Sequence, residues 1–156
     1  MRNALVLAVA LALVAAAPVL AADDPPKSSP AAVPDSDLAA ARARIDARDW
    51  PAAVAILEKA VARDGKNADY HNLLAYSIRK GPNPDTDRVF KHYTEALRLD
   101  PKHRGAHEYI GEAYLMVGNV AKAKEHLAAL DKLCVFSCGE FRDLKRAIER
   151  YEAAKK

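Results

Sequence analysis

Cys134 and Cys138 are the residues of this sequence whose chemistry depends most directly on their spacing. On one continuous helix they would lie on the same face, and a small departure from ideal helix geometry would let them form a disulfide. That bridge would stabilise the fold by only about 2 kcal/mol, because the loop that it closes is short. Two other interpretations stay open. The pair could be redox-active, although the Cys-x-x-Cys spacing of thioredoxin-like proteins is missing, or its two thiolates could bind a metal.

His103 and His107 form a second candidate pair, because a four-residue spacing on a helix presents two imidazoles to zinc or copper. The His-Glu-x-x-His arrangement, which adds a general base, is absent. His71 stands 36 residues before His107, at the matching position of a repeating pattern. A shared structural position explains both histidines, so we predict no metal site and no cofactor.

The residue combinations that carry catalysis are missing from the sequence. It contains no Gly-x-Ser-x-Gly nucleophile motif and no glycine-rich phosphate loop, since its six glycines are scattered. We therefore predict that the protein is not an enzyme.

The first 21 residues have the composition of a secretory signal peptide. Arg2 precedes an Ala/Leu/Val run that extends from Ala4 to Leu20, and small residues follow. A membrane span needs about 20 apolar residues, and this run is shorter and contains Pro18. We predict cleavage after Ala21, with Ala22 as the neighbouring alternative, and hence a periplasmic or secreted protein that is not inserted in the membrane. Disulfides persist in such compartments.

Residues 22–35 are rich in proline and serine and predict an extended linker. The whole chain carries 24 Lys and Arg against 21 Asp and Glu, a formal charge of +3. Both signs alternate along the remaining sequence. A nucleic-acid binder would cluster its positive charge, so we predict no nucleic-acid partner.

The remaining sequence predicts helices only, because no segment alternates with the period of a strand. Helices are predicted over 36–47, 51–63, 68–79, 87–99, 104–117, 120–133 and 140–154. The last of these places Phe141, Leu144, Ile148 and Tyr151 on one stripe. That stripe predicts a cap on the preceding helices, with a docking face for a partner helix as the alternative.

A motif recurs along these helices, and it makes residues 36–133 resemble the tetratricopeptide repeat family. The third copy contains His107, Ile110, Gly111, Tyr114, Ala123 and Leu127, and the second contains His71, Leu74, Ala75, Ile78, Val89, Tyr93 and Pro101. The first copy is poorer and places Arg44 where the motif buries a side chain, although Leu38, Ala41 and Ile45 make a better apolar stripe. Residues 103–115 and 133–141 also resemble small exported proteobacterial repeat proteins.

The resemblance implies an all-α solenoid of three helix-turn-helix repeats, at about 36–67, 68–103 and 104–133, followed by a Cys-containing turn and a capping helix at 134–156. It further implies that the first helices of the repeats line a concave groove for a peptide or protein partner. Helical spacing assigns these residues to the groove: Arg42, Asn72, Tyr76, Arg79, Lys80, Glu108, Glu112 and Leu115.

We expect Tyr76 and Arg79 to point away from the repeat core and to touch the partner. The groove would have a basic and aromatic centre beside an acidic end, which suits a segment of mixed polarity. The expected function is therefore a protein-binding scaffold or adaptor. A thiol-redox or metal-handling protein that uses the Cys pair is the alternative, and self-association stays open.

Overall fold

Local signals determine where the helices of this chain begin. Asp35, Asn67 and Asp85 each accept hydrogen bonds from backbone N–H groups of the following turn, which is the usual N-cap arrangement. Pro51 stands at the start of another helix, where its missing N–H costs nothing. These caps explain why helix boundaries could be predicted from the sequence.

The computed structural model describes residues 35–155, which form an all-α solenoid with no strand in that range. Its helices are α1 (Ser36–Asp46), α2 (Trp50–Arg63), α3 (Ala68–Lys80), α4 (Thr86–Leu99), α5 (Arg104–Met116), α6 (Val120–Leu133) and α7 (Gly139–Ala153). Each predicted boundary falls within one residue of the observed one. The predicted signal peptide, 1–21, and nearly all of the predicted linker, 22–35, lie outside the described residues. Within them, no helix is both long and apolar enough to cross a bilayer.

The helices pack in three antiparallel pairs, α1 with α2, α3 with α4 and α5 with α6. The core of the first two pairs is built around Leu57, Leu74 and Tyr93, which are almost fully buried. A second cluster joins the last pair to α7 through Leu130 and Leu144. The two clusters follow one another in the order in which the repeats occur along the chain, as expected for a solenoid.

Helix α7 is a cap. Leu144 and Ile148 are buried, and Phe141 and Tyr151 pack partly buried on the same cluster. The apolar stripe of α7 is therefore already occupied by α5 and α6. It does not present an open face to a partner helix, which was the alternative interpretation.

In the first repeat, the apolar stripe and not the motif gives the correct orientation of α1. Ala41 is fully buried and Leu38 and Ile45 pack against the core. Arg44 points outward, with 55% of its side chain exposed, and its guanidinium lies 3.6 Å from the Asp49 carboxylate. Placing a charged side chain in this small core would have required a buried partner.

Candidate protein-binding groove

Three aromatic side chains form a ladder on the surface that runs along α1, α3 and α5. The rings of Tyr76 and Tyr109 have centroids 4.7 Å apart, and the Trp50 ring meets Tyr76 edge-on at 6.1 Å. Tyr76 is only half-buried, so part of this ladder faces outward. Aromatic rings in such a position provide large contact areas with little conformational freedom to lose.

The ladder lies between two adjoining clefts at the α1 end of this surface. One cleft of about 350 Å³ lies between α1 and the two tyrosines and is lined by Arg42, Ile45 and Leu73. The next, of about 490 Å³, is lined by Arg48, Trp50 and Lys80. Ile45, Asp46 and Tyr76 line both clefts. This end therefore combines aromatic surface with mostly positive charge.

A third cleft, of about 520 Å³, opens at the other end, where α7 meets α3 and α5. It is lined by Arg79, Glu112, Leu115, Met116, Ala147, Arg150 and Tyr151. Arg79 reaches from this cleft to the rings of Tyr76 and Tyr109, so the three clefts follow one another along the same surface. We call that surface the groove.

Arg79 contacts four side chains in the middle of the groove. Its Nη2 donates to Glu112 Oε2 at 2.7 Å and its Nε donates to the Tyr93 hydroxyl at 3.2 Å. The guanidinium carbon also lies 5.6 Å from the Tyr76 ring centroid and 5.9 Å from that of Tyr109. Only 5% of the Arg79 side chain is exposed.

The expectation that Arg79 points freely toward a partner is therefore wrong. Its donors are already directed at Glu112 and Tyr93, and their geometry holds α3, α4 and α5 in place. Tyr76 is half-buried, packs against the core cluster and lines two of the clefts, and its contact with a partner stays a prediction.

The predicted acidic end of the groove carries less charge than its sequence indicates. Burial raises the pKa of Glu108 to about 8, and the carboxylates of Glu112 and Asp143 add to that rise. Glu112 is in turn paired with Arg79. One of the two carboxylates is thus largely protonated at neutral pH and the other is neutralised by its partner.

The other predicted groove residues differ in their exposure. Arg42 and Lys80 are exposed, and Lys80 lies 6.0 Å from the Tyr76 ring centroid. Leu115 is buried at the edge of the third cleft. Asn72 is only 4% exposed and lies beneath the start of α5, where its Nδ2 would be 3.5 Å from a Cβ at Gly105. Asn72 therefore packs under the groove and does not line it.

Several groove residues were missed from the sequence. Tyr109 stands three residues before Glu112 and so shares its helical face, a signal that was available. Trp50 is the first residue of α2, and Arg150 and Tyr151 belong to the cap. Their contribution depends on how α2 and α7 pack, which helical periodicity does not report.

Cys134 and Cys138 are joined by a disulfide in the turn between α6 and α7. In this state neither residue offers a thiolate to a metal or a substrate. The ring that they close displays Val135 and Phe136, whose exposures are 88% and 90%.

Two histidine pairs connect the helices of the second and third repeats. His71 Nδ1 lies 2.9 Å from His92 Nδ1, and His107 Nδ1 lies 2.9 Å from His126 Nδ1. Burial and the neighbouring imidazole lower the pKa of His92 and of His126 to about 4. His107 therefore faces His126 and not His103, the neighbour that helical spacing indicates. His103 caps α5, because its Nδ1 accepts from Ala106 N at 3.1 Å.

The architecture defines this chain as an α-solenoid of the tetratricopeptide type with a helical cap. No protein-family model and no curated protein matches its sequence. Among solved structures it is similar to SycD, the type III secretion translocator chaperone of Yersinia enterocolitica, in an alternative dimer. The TM-score is 0.64 at 16% sequence identity, and the match covers 77% of this chain and 92% of SycD. At so low a sequence identity, the structural similarity shows that the two proteins share a fold and nothing further.

Proposed function

We propose that this protein is a non-enzymatic adaptor or chaperone that holds an extended segment of a protein partner in its groove. The observation that carries this proposal is the row of three clefts, in which two share Tyr76 and the third is lined by Arg79, whose guanidinium lies over the Tyr76 ring. A row of clefts along one face fits an extended segment better than it fits a compact small molecule. The similarity to a structure named as a translocator chaperone supports the same class of function.

The lining of the groove indicates the chemistry of the partner. Apolar or aromatic side chains of the segment would pack on Trp50, Tyr76 and Tyr109, because buried aromatic anchors usually dominate such interfaces. Arg42 and Lys80 would attract acidic residues at the α1 end. We expect a segment of mixed polarity in which an acidic part precedes or follows an apolar one.

Reversing the charge at the α1 end tests this proposal. Arg42→Glu with Lys80→Glu changes two exposed side chains, so the fold should be retained while capture of the partner weakens by about tenfold or more, equivalent to about 1.4 kcal/mol. The measurement is quantitative pull-down with each variant, followed by titration of the captured partner against the purified protein.

The matched control is Lys59→Glu with Lys145→Glu, which makes the same change in net charge at exposed positions outside the clefts. If both variants lose a partner to the same extent, that partner responds only to the net charge of the protein and not to the groove. If the groove variant captured the partner as well as the unchanged protein does, the groove assignment would be refuted.

We also propose that the protein functions in the periplasm or outside the cell after removal of residues 1–21. The Cys134–Cys138 disulfide supports an oxidising compartment. Intact mass measurement of the exported protein, with and without thiol alkylation, should give a chain that begins at Ala22, is two hydrogens lighter than the reduced form and takes up no alkyl group. A full-length mass with alkylated thiols would contradict the proposal.

The thiol-redox or metal-handling alternative depends on the same cysteines. A folded Cys134→Ser, Cys138→Ser variant should still capture the partner, because neither residue lines the groove. Loss of capture in that variant would favour the alternative. A second copy of the chain is the other candidate occupant of the groove, and light scattering distinguishes it from a foreign partner.

A further inference from the structure

Glu108 is a buried acidic residue whose carboxyl group has no partner in the described part of the chain. Only 9% of the residue is exposed, and neither a hydrogen bond nor an ion pair reaches the carboxyl group from residues 35–155. Its oxygens still contact solvent, because Asn72 Oδ1 is the only buried side-chain polar atom in that range that lacks a hydrogen bond. Since buried polar groups are nearly always hydrogen-bonded, Glu108 is suited to a partner that enters from outside.

Three further carboxylates surround Glu108, and each of them already has a partner. Burial and then their charges raise the Glu108 pKa, and they belong to Glu112, Asp143 and Glu140. An arginine pairs with each: Arg79 with Glu112 at 2.7 Å, Arg104 with Glu140 at 3.6 Å, and Arg146 with Asp143. We call the four acidic residues the acidic end of the groove. Its four carboxyl groups face three guanidinium groups, so its charge balance accommodates one more cation.

We propose that the acidic end is a cation subsite of the groove, where an arginine or lysine side chain of the bound segment pairs with Glu108. The inference rests on the proposed function, because the cation belongs to the segment that the groove holds. An organic cation fits better than a metal ion, since within residues 35–155 no group of three or more His, Cys, Asp and Glu side chains is placed to hold a metal. An ammonium or guanidinium group needs only acceptors for its N–H groups.

The aromatic ladder adjoins this subsite. Burial raises the pKa of Tyr109 to about 12, and the Glu108 carboxyl adds to that rise, so the two side chains are close. Arg79 already packs on the ladder, with its guanidinium carbon 5.6 Å from the Tyr76 ring centroid and 5.9 Å from that of Tyr109. A second cation beside Glu108 would lie near the same rings, and arginine stacks on aromatic faces better than lysine does. We therefore expect arginine to be preferred.

Pairing with a cation changes the protonation of Glu108. The charged groups that face it are Glu112 on its own helix, Arg79 on α3, and Asp143 and Glu140 on α7. Burial and these carboxylates hold its pKa at about 8, so the free protein is largely protonated there at neutral pH. A cation favours the ionised carboxylate. Binding at neutral pH therefore releases a proton, and the affinity increases with pH up to about 8 and then levels off.

Acetyl-argininamide, a single arginine side chain without charged termini, tests the subsite in the absence of the protein partner. Carbon-13 NMR of the glutamate-labelled protein measures the pKa of Glu108 with and without this probe. We expect a saturating concentration to lower that pKa by about one pH unit or more, and the probe to bind about tenfold more tightly at pH 7 than at pH 6. Acetyl-citrullinamide, which has nearly the same shape without the charge, should do neither.

Glu108→Gln keeps the shape of a protonated carboxyl group, so it should remain folded, which circular dichroism verifies, and it should lose the pH-dependent binding. The matched control is Glu149→Gln at an exposed position of α7, which should bind as the unchanged protein does. An unchanged Glu108 pKa in the presence of acetyl-argininamide, an equal effect of acetyl-citrullinamide, or undiminished pH-dependent binding in Glu108→Gln would each overturn the proposal.

Capture of the protein partner separates this proposal from the proposed function. Glu108→Gln should weaken capture, whereas Glu149→Gln should not. If Glu108→Gln captured the partner fully while Arg42→Glu with Lys80→Glu did not, the cation subsite would be overturned and the groove assignment would stand. If the probe bound as expected but the Arg42→Glu, Lys80→Glu variant captured the partner fully, the proposed function would fail and the cation site would remain.

Discussion

Arg79→Ala should lower the free energy of unfolding by about 3 kcal/mol, because it removes the cation from a largely buried ion pair. Glu112, whose side chain is 28% exposed, would lose its partner. The hydroxyl of Tyr93, a fully buried residue, would lose its donor, and an unsatisfied buried polar group adds its own cost. Chemical denaturation of the variant and of the unchanged protein measures the difference.

Arg98→Ala is a suitable control for this prediction. Arg98 donates to Glu95 at 2.7 and 2.8 Å, so the chemistry of the two pairs is the same. However, 65% of the Arg98 side chain is exposed. Exposed ion pairs contribute about 0–1 kcal/mol, and the control should change stability by no more than that. Equal effects of the two variants would show that Arg79 is not a structural residue.

A second comparison separates the cost of an unpaired charge from the contribution of the pair. Replacing all three groups, in Arg79→Met with Glu112→Leu and Tyr93→Phe, leaves no buried polar atom of the network without a partner. Such replacements are often close to neutral, so we expect this variant to be more stable than Arg79→Ala alone. Reduced partner binding by Arg79→Ala would therefore reflect disruption of the groove and not the loss of a direct contact with the partner.

The helices were predictable because their signals are local. N-caps such as Asp35, Asn67 and Asp85 act within a few residues of their own position, and each predicted helix therefore ends close to the observed boundary. The capping role of α7 was predictable for a related reason. Its stripe is apolar on one side only, and the last pair of a solenoid needs such a cover.

The groove was predictable only in part, because the burial of each groove side chain depends on how several helices pack together. Helical spacing correctly places Tyr76 and Arg79 on the same side of α3. The Arg79 donors can reach a partner only if they are not already bonded within the protein. They are bonded to Tyr93 and Glu112, which stand 14 and 33 residues further along the chain. The spacing of residues within α3 alone does not predict contacts with residues so far along the chain.

The histidine pairs show the same limit, although the sequence did contain a usable signal. His71 and His92 are 21 residues apart and His107 and His126 are 19 apart, and the difference equals the two extra residues in the turn of the second repeat. Alignment of the two repeats would have placed all four histidines at matching positions. Spacing within one helix indicates His103 and His107 instead, and these two do not pair.

Gly111→Leu should destabilise the protein by about 1–3 kcal/mol through overpacking between α5 and α7. A Cβ built on Gly111 would lie 2.6 and 2.7 Å from the two δ-carbons of Leu144, which is fully buried. The nearest atoms therefore belong to the cap and not to α6, the other helix of its own pair. The variant should therefore loosen α7 and lower the thermal midpoint by several degrees.

A double-mutant cycle identifies Leu144 as the cause. Leu144→Ala alone should cost about 2–5 kcal/mol because it leaves a cavity, but in that background Gly111→Leu should cost much less, since its side chain has space to occupy. Gly139→Leu is the control, because no heavy atom lies within 4 Å of a Cβ at that position. If the effects of Gly111→Leu and Leu144→Ala simply added, the two residues would not be coupled and the cap would be held by other contacts.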